Sequence, residues 1–329
     1  MLQFLGKKFE KYDTLQSGGN FYMKLLQKVK CPICHSEMVE DKILTSKVNQ
    51  TGKKPSARNY CDCIRKCFNC EIGASNSENS YTFIYKDFHK NIPSTFLGNL
   101  DKTLDESINL KNRSNKKIKI GFSSSEDAVS WIFINFFIQK NKLDLLQEVL
   151  NLDSKILEIF MWGVPQLGYI KNNNKLKEIC ENLGEDKRLF TEPDIILVNE
   201  KDVLFIEVKV KSGNETKDPS KKDFDKYLEN EFYIDKRLAK ESRYYELIRN
   251  WTISHYFSSN KPAKLINLAP MRLFAKSHNL DIFEKSLNTP KNFIQLAWED
   301  VIERLDNKKN ENNICYDLIV ELKKRIFQG

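Results

Sequence analysis

Residues 191–212 read TEPDIILVNEKDVLFIEVKVKS and decide the fold of the larger part of the chain. Two runs rich in isoleucine, leucine and valine, 194–198 and 203–210, are separated by the polar residues 199–202. Apolar runs of this length, joined by a few turn residues, are typical of a β-hairpin. Helical patterns lie on both sides of it, so the sequence predicts a compact α/β domain from residue 118 onward.

The second run of the hairpin carries charged side chains at alternate positions. Because side chains alternate along a strand, Glu207 and Lys209 project from one face and Val208 from the other. Asp194 begins the partner strand, so pairing can bring its carboxylate beside Glu207. Two carboxylates can hold Mg²⁺, which activates a bound water, while the lysine orients or deprotonates that water or stabilises the transition state. An ordinary amphipathic hairpin with exposed charges would show the same pattern.

The motif Pro193-Asp194, followed by Glu207-x-Lys209, resembles that of the PD-(D/E)xK nuclease superfamily. The resemblance covers residues 118–305. It implies a restriction-endonuclease-like core, in which helices flank a central mixed sheet. It also implies that Asp194 and Glu207 bind a catalytic Mg²⁺ (or Mn²⁺) and that Lys209 is the catalytic lysine.

A predicted helix at 126–139 precedes the hairpin. Members of the superfamily often contribute a further acidic residue from this helix, so Glu126 is the candidate for a further catalytic residue and Asp127 is its substitute. The dipole of the helix also favours a carboxylate in the first turn without any catalytic role.

A helix and a strand after the hairpin extend the resemblance. Residues 245–250, YELIRN, and the strand pattern at 265–268 are similar to those of uncharacterised bacterial nuclease-like proteins in the superfamily. Arg249 and Asn250 are therefore candidates for a role in the site or in binding a nucleic-acid phosphate. A salt bridge within the helix and a helix cap are the alternatives.

Clustered cysteines near the N-terminus predict a separate zinc-binding module. Two CxxC pairs can each present two thiolates to one tetrahedral Zn²⁺, as in a zinc ribbon, with a spacer long enough for a β-hairpin. A site of four thiolates leaves no position for water, so its zinc would be structural. Two further thiols, Cys61 and Cys63, are alternate ligands, ligands of a second metal, or spare thiols. The preferred ligands are Cys31, Cys34, Cys67 and Cys70.

The spacer between the two CxxC pairs is rich in basic residues. Tyr60 in the spacer and Phe68 within the second CxxC pair could add stacking aromatics. Such a surface can bind the phosphates of a nucleic acid. A solvated basic loop is the alternative, and the module could equally bind a protein or pack on the nuclease domain. The candidates for nucleic-acid binding are Lys53, Lys54, Arg58, Arg65 and Lys66.

The length of 329 residues suggests about two domains. We place a zinc-binding domain at 1–90, a linker at 91–117 and the nuclease domain at 118–329. Alternating apolar residues predict a short strand or an extended segment at 118–122. The charged stretch 224–257 predicts one long helix, and 293–305 predicts a closing helix.

The net charge of +8 is compatible with a polyanionic partner but is weak support by itself. No apolar run approaches the roughly 18 residues that a membrane span requires, and the first residues lack the features of a signal peptide. We therefore expect a cytoplasmic protein without a membrane partner.

These patterns together favour a metal-dependent endonuclease acting on DNA, with RNA as a further substrate class. Cutting both DNA strands often requires two active sites, so a homodimer is compatible with this function. A role in restriction or in defence against foreign DNA follows only by analogy. The alternatives are a catalytically silent nucleic-acid-binding or regulatory subunit and an RNase that uses the same metal site.

Overall fold

The computed structural model describes residues 28–53, 55–77, 81–167, 174–275, 278–308 and 315–327. The chain divides into two units, Met1–Tyr81 (unit 1) and Thr82–Gly329 (unit 2). Within the described ranges, no helix is long and apolar enough to cross a membrane.

Unit 1 is built on short antiparallel strands and one helix. Strands β1 (Val39–Glu40), β2 (Arg65–Cys67) and β3 (Ile72–Ala74) are neighbours in that order, and helix α1 (Lys42–Thr51) lies between β1 and β2. The side chain of Asp41 caps α1 by accepting from the backbone N–H groups of its first turn. This cap explains why part of the spacer between the CxxC pairs is helical.

Unit 2 combines many helices with a mixed sheet. Its strands are β4 (Phe83–Tyr85), β5 (Ile156–Met161), β6 (Val164–Leu167), β7 (Ile195–Asn199), β8 (Val203–Val208), β9 (Ala263–Ala269) and β10 (Phe293–Ala297). The helices before the β7–β8 hairpin are α2 (Leu100–Glu106), α3 (Arg113–Ile120), α4 (Glu126–Gln139), α5 (Leu143–Val149) and α6 (Lys175–Asn182). The later helices are α7 (Asp225–Leu228), α8 (Lys236–Glu241), α9 (Tyr245–Ser258), α10 (Met271–Phe274), α11 (His278–Ser286), α12 (Trp298–Asn307) and α13 (Tyr316–Phe327).

The six-stranded sheet of unit 2 has the order β10-β9-β8-β7-β5-β6. Strands β5 to β8 pair in antiparallel fashion, whereas β8, β9 and β10 are parallel. Parallel neighbours require a crossover connection, and α9 lies in the crossover from β8 to β9. The α/β class and the predicted hairpin are confirmed.

The two faces of the sheet bury different parts of the hairpin. Leu204, Ile206 and Val208 belong to one apolar core together with the residues of α4. Phe205 belongs to a second core together with α9. Glu207 and Lys209 therefore follow Phe205 on the face that α9 covers, at the end of β8.

Residues 91–117, which we expected to be a linker, carry α2 and most of α3 and belong to unit 2. Unit 1 ends at Tyr81 rather than near residue 90. The expected strand at 118–122 does not form, because α3 extends to Ile120; among these described residues, only Phe122 makes a β-bridge, an isolated antiparallel one with Ile84. Lys116 and Ile120 are buried four residues apart, which is the helical spacing, whereas the alternating Ile118 is exposed.

Two helices predicted in the later part of unit 2 are divided in the structure. The stretch 224–257 forms α7, α8 and α9, because Asp235 caps α8 and Arg243 adopts a φ of 60° just before α9. The expected closing helix at 293–305 begins with β10, which pairs with β9, and becomes helical only at Trp298. Short apolar runs do not distinguish a strand from a helix by their pattern alone.

Candidate metal centre and candidate active site

Four cysteine thiols converge in unit 1. The sulfur atoms of Cys31, Cys34, Cys67 and Cys70 all lie within 4.8 Å of one another, and those of Cys34 and Cys67 are 3.6 Å apart. Sulfurs around a tetrahedral zinc, with Zn–S bonds of about 2.3 Å, lie roughly 3.8 Å apart. We name these residues the cysteine group, and their spacing fits a metal such as zinc.

Each CxxC pair closes a tight turn of the same shape. The residue after the second cysteine has a left-handed backbone in both turns, with φ of 58° at His35 and 57° at Glu71. The antiparallel bridge between Lys30 and Glu37 flanks the first turn, and the β2–β3 hairpin flanks the second. A left-handed conformation is uncommon for residues other than glycine, so its repetition marks two equivalent knuckles.

The thiols of the cysteine group do not ionise alike. Hydrogen bonds from Ser36 and from Cys70 lower the pKa of Cys34 to about 6. The hydrogen bond with Cys34 raises the pKa of Cys70 to about 12, and burial raises the pKa of Cys31. Since the thiolate is the metal ligand, a cation is needed to hold all four sulfurs in their ionised form.

The alternate ligands lie outside the cysteine group. Cys63 is fully buried, packs against Gly73 so closely that a Cβ at that glycine would collide with its sulfur, and donates to the carbonyl oxygen of Asn59 at 3.5 Å. Burial raises the pKa of Cys63 to about 12, which keeps it a neutral thiol. Cys61 is exposed, as is His35.

Two of the basic candidates for nucleic-acid binding are instead buried in β2. The guanidinium of Arg65 donates to the carbonyl oxygen of Ser75 at 3.1 Å. The ammonium of Lys66 lies 2.6 Å from the carboxylate of Asp41 and donates to the carbonyl oxygen of Cys61 at 3.1 Å. Both side chains hold unit 1 together, so we no longer include them in a phosphate-binding surface.

The other basic candidates of unit 1 differ in what is known of their position. Lys53 and Arg58 are exposed and remain available to a polyanion. Lys54 lies outside the described residues. The basic surface that sequence predicted is therefore smaller than the count of lysine and arginine suggests.

In unit 2, the ammonium of Lys209 lies among carboxylates. Its Nζ is 2.7 Å from Oε1 of Glu207, 2.9 Å from Oε2 of Glu246 and 3.7 Å from Oε2 of Glu126. The side chain of Lys209 is only 9% exposed. Together with Asp194, these residues form what we name the acid–lysine site, and it contains every catalytic residue predicted from the sequence.

Asp194 enters this site through the pairing of the hairpin. Ile195 pairs with Ile206, so the register extended by one residue sets Asp194 opposite Glu207. The carboxylate of Asp194 accepts from the backbone N–H of Val208 at 2.8 Å. That hydrogen bond fixes the carboxylate on the strand that carries Glu207 and Lys209.

The carboxylates of the site disfavour one another's ionisation. Burial and the charge of Glu207 raise the pKa of Asp194 well above its usual range, and burial raises the pKa of Glu207 and of Glu126. For Lys209, burial opposes the charged form, but the surrounding glutamates outweigh it and raise the pKa well above its usual value. Four carboxylates therefore surround an ammonium that remains charged at neutral pH.

Helix α9 supplies two members of the site: Glu246, which the sequence argument did not place in it, and Asn250, which it proposed for a role in the site or in phosphate binding. Glu246 lies within the YELIRN motif, and although partial burial opposes its ionisation, Lys209 and Arg249 lower its pKa to about 2. Asn250 is buried and donates from Nδ2 to Oε2 of Glu207 at 2.7 Å. Glu246 and Asn250 are four residues apart, so they share the face of α9 that lies toward β8. This helical spacing was the signal in the sequence that could have found Glu246.

Arg249, the remaining basic candidate, lies next to the site on α9. Its guanidinium is partly buried and lies 5.5 Å from the centre of the Tyr245 ring. The charge of Glu246 contributes to raising the pKa of Arg249 against the effect of burial. The position is compatible both with holding Glu246 and with contacting a bound phosphate.

The two sites differ in their readiness for a metal. Within the described parts of the chain, only the cysteine group brings three or more histidine, cysteine or acidic ligand atoms within 4.8 Å of one another. In the acid–lysine site, Lys209 lies among the glutamates. Asp194 and Glu207 lie opposite each other in the hairpin register, and one or two carboxylates are the ligands that proteins commonly offer to Mg²⁺.

A second buried lysine, Lys116, is close enough to Asp194 for their charges to interact. Lys116 of α3 is 3% exposed, and its Nζ is 2.9 Å from Oε2 of Glu192 and 3.6 Å from Oδ1 of Asp127. The ammonium lies 4.5 Å from the centre of the Trp162 ring. Sequence reasoning missed this network, because Lys116 falls in the stretch that we assigned to a linker.

No protein-family model, curated protein or solved structure matches this chain. Its function is therefore argued from the geometry of these two sites.

Proposed function

We propose that unit 2 is a metal-dependent nuclease domain of the PD-(D/E)xK type, which hydrolyses phosphodiester bonds of DNA with Mg²⁺ or Mn²⁺. The observation that supports it best is the position of Lys209, whose ammonium lies within 3.7 Å of three glutamates at the end of β8. Buried groups of this kind, with mutually shifted pKa values, are more common at catalytic sites than elsewhere.

The arrangement of elements also supports the proposal. An acid at the start of α4, a hairpin with Asp194 and Glu207, a crossover helix and a parallel strand follow one another along unit 2. This is the order on which the resemblance to the nuclease superfamily rests. The mixed sheet with helices on both faces is the architecture that the resemblance implies.

The residues have distinct parts in the proposed reaction. Asp194 and Glu207 would hold the metal, which supplies an activated water and neutralises charge on the phosphate. The ammonium of Lys209, held 2.7 Å from Glu207 and 2.9 Å from Glu246, would stabilise negative charge on the phosphate oxygens. Asn250 holds one oxygen of Glu207, which leaves the other oxygen directed at Lys209.

Unit 1 would assist this activity without chemistry of its own. A metal in the cysteine group has no position for a substrate or water, so it would stabilise the fold of unit 1. The exposed Lys53 and Arg58 offer positive charge to a nucleic-acid backbone. A homodimer, a cytoplasmic location and a role in restriction or defence stay predictions.

A cleavage assay on the full chain tests the proposal. Supercoiled plasmid and single-stranded RNA are each incubated with Mg²⁺, Mn²⁺ or EDTA, using the wild type, Glu207→Gln and Glu200→Gln. Glu200 is an exposed acid in the turn of the same hairpin, so its variant is the matched control. We expect metal-dependent cutting of plasmid that Glu207→Gln abolishes and Glu200→Gln retains.

The other outcomes assign the alternatives. Cutting of RNA alone, with the same dependence on Glu207, would make the protein an RNase. Cutting that Glu207→Gln retains would refute the site. No cutting of either substrate by folded, zinc-loaded protein would favour a silent nucleic-acid-binding or regulatory subunit.

A further inference from the structure

Two segments of unit 2 carry acids of the proposed site. One lies at the start of a helix and the other immediately before a strand. Residues 126–127 open α4, and residues 192–194 lead into β7. The hairpin holds both acids indirectly, since Asp194 accepts from the Val208 N–H at 2.8 Å and Glu126 accepts from the Val210 N–H at 3.2 Å. A further contact joins the two segments to each other without passing through the hairpin.

Lys116 makes that contact from a third element, α3. Its ammonium binds Asp127, the neighbour of Glu126, and Glu192, which lies two residues before Asp194. The second oxygen of Glu192 accepts from the backbone N–H of Asn109 at 2.8 Å, so Glu192 is held at both ends. One side chain thus joins both acid-bearing segments.

The surroundings of Lys116 make a merely stabilising role a poor explanation. Burying an ammonium and a carboxylate costs several kcal/mol of desolvation, and well-packed apolar residues often stabilise a fold as well or better. The side chains of Lys116 and Glu192 are only 4% and 5% exposed. The Trp162 ring lies beside the ammonium, and the backbone N–H of Trp162 donates to the carbonyl oxygen of Asp194 at 3.4 Å.

We propose that Lys116 is a positioning residue, which holds the segments 126–127 and 192–194 at the separation that metal binding by the acid–lysine site requires. The inference rests on the proposed function, since it assumes that this site binds a divalent cation. Lys116 itself need not touch metal or substrate. Its loss would therefore weaken metal binding more than it would lower the rate at saturating metal.

The test compares Lys116→Met, Lys116→Arg and Lys117→Met in the full chain loaded with zinc. Lys117 is the matched control, because it lies in the same helix but pairs with Asp105 at the surface, at 2.7 Å. Two quantities are measured. One is the Mg²⁺ concentration that gives half-maximal plasmid cleavage, and the other is the affinity for Mn²⁺ without DNA, monitored by electron paramagnetic resonance. Glu192→Gln is the second variant if Lys116→Met does not fold, because its amide oxygen can still accept from Asn109.

For Lys116→Met we expect half-maximal cleavage at an Mg²⁺ concentration about 10-fold higher, with a similar loss of Mn²⁺ affinity. This is the low end of the loss seen when a direct partner of a metal ligand is removed, because Lys116 holds residues next to the acids of the site. Lys116→Arg restores most of the affinity and Lys117→Met is unchanged. If Lys116→Met, or Glu192→Gln in its place, keeps the wild-type metal dependence, the inference is wrong and the nuclease proposal stands. If Lys116→Met and Lys116→Arg lose activity equally at every metal concentration, Lys116 is only structural. A wild type that neither binds Mn²⁺ nor cuts refutes both proposals together.

Discussion

The cysteine group and the acid–lysine site are both candidate metal centres, but they are assembled in opposite ways. The cysteine group joins two knuckles of four residues each, and its ligands are all of one kind. The acid–lysine site draws on α4, the β7–β8 hairpin and α9, and it mixes acids with a lysine. A metal site built from local turns can be recognised from the spacing of its ligands in the sequence. A site built from tertiary contacts can be recognised only once the fold is known.

The two sites also differ in how they balance charge. The cysteine group has no positive side chain within it, so only a cation can neutralise four thiolates. The acid–lysine site holds its own ammonium, which lies 2.7 Å from Glu207. We therefore expect metal to be part of the fold of unit 1 and to be exchangeable in unit 2.

The largest effect should come from removing a ligand of the cysteine group. Cys31→Ser should lose the zinc, which we expect at about one per chain because four thiolates complete one tetrahedral site. Zinc binding contributes on the order of 10 kcal/mol to folding in small zinc modules, so unit 1 should unfold. Metal analysis and limited proteolysis check this, with the exposed Cys61→Ser as control. Retention of zinc by Cys31→Ser would exclude the proposed ligand set.

The next effect tests whether Lys209 balances the acids of unit 2. Lys209→Met should lower cleavage by at least about 100-fold, since a donor to the transition state is lost. Without metal, the free energy of unfolding should fall by about 3 kcal/mol, because buried carboxylates lose their counter-charge. Added Mg²⁺ should recover part of this stability. Lys211→Met, two residues along the chain, is the control, and equal losses in both variants would contradict the assignment.

A smaller effect concerns pH and the carboxylate of Asp194. Its pKa is raised in the folded protein, so ionisation lowers stability as the pH rises from the unfolded value near 4 through the folded pKa. Asp194→Asn keeps the acceptor for the Val208 N–H but removes the charge. In metal-free protein, this variant should melt roughly 2–4 °C higher at neutral pH, which corresponds to about 1 kcal/mol.

The stability difference of Asp194→Asn should vanish below about pH 4, where the wild-type carboxyl is protonated in both states. Thermal melts across this range, with and without Mg²⁺, provide the measurement. In saturating Mg²⁺ the order should reverse, because only the wild type gains metal-binding energy. A variant that is less stable at every pH would show that Asp194 is a structural carboxylate.

The smallest effect tests the basic surface of unit 1. Changing Lys53 and Arg58 together to glutamine should weaken DNA binding several-fold and reduce the salt dependence by about two counterions. Lys28→Gln is the control, since Lys28 is exposed and pairs with Glu37 instead. Binding measured by fluorescence anisotropy over a series of salt concentrations decides this. If the dependence of DNA affinity on salt concentration is unchanged, Lys53 and Arg58 do not contact the nucleic acid.

The hairpin and the cysteine group were predictable from sequence because each is determined by neighbours in the chain. Alternation placed Glu207 and Lys209 on one face, and the CxxC spacing named the four thiols that the structure brings together. The register of the hairpin also followed, since a short turn leaves few ways to pair Asp194 with the second strand.

The remaining features depend on contacts that sequence does not display. Arg65 and Lys66 are buried because they lie in β2, where neighbouring parts of unit 1 cover both side chains. Glu246 joins the site only because α9 packs over β8. Lys116 lies in a polar stretch that forms α3. Only two of its residues, Lys116 and Ile120, are buried, so the polar composition gave no sign of a packed helix.

The separation of contacts along the chain has a consequence for synthesis. The first cysteine pair and the second are complete once residue 70 has been made, and their contact spans 33 residues. The hydrogen bond from Val210 to Glu126 spans 84 residues, and the parallel pairing of β8 with β9 must wait for residue 269. Contacts of long separation form slowly, so we expect a nascent chain to bind its zinc early and to acquire the acid–lysine site only after β9 has been made. The proposed activity would then be silent until β9 has left the ribosome.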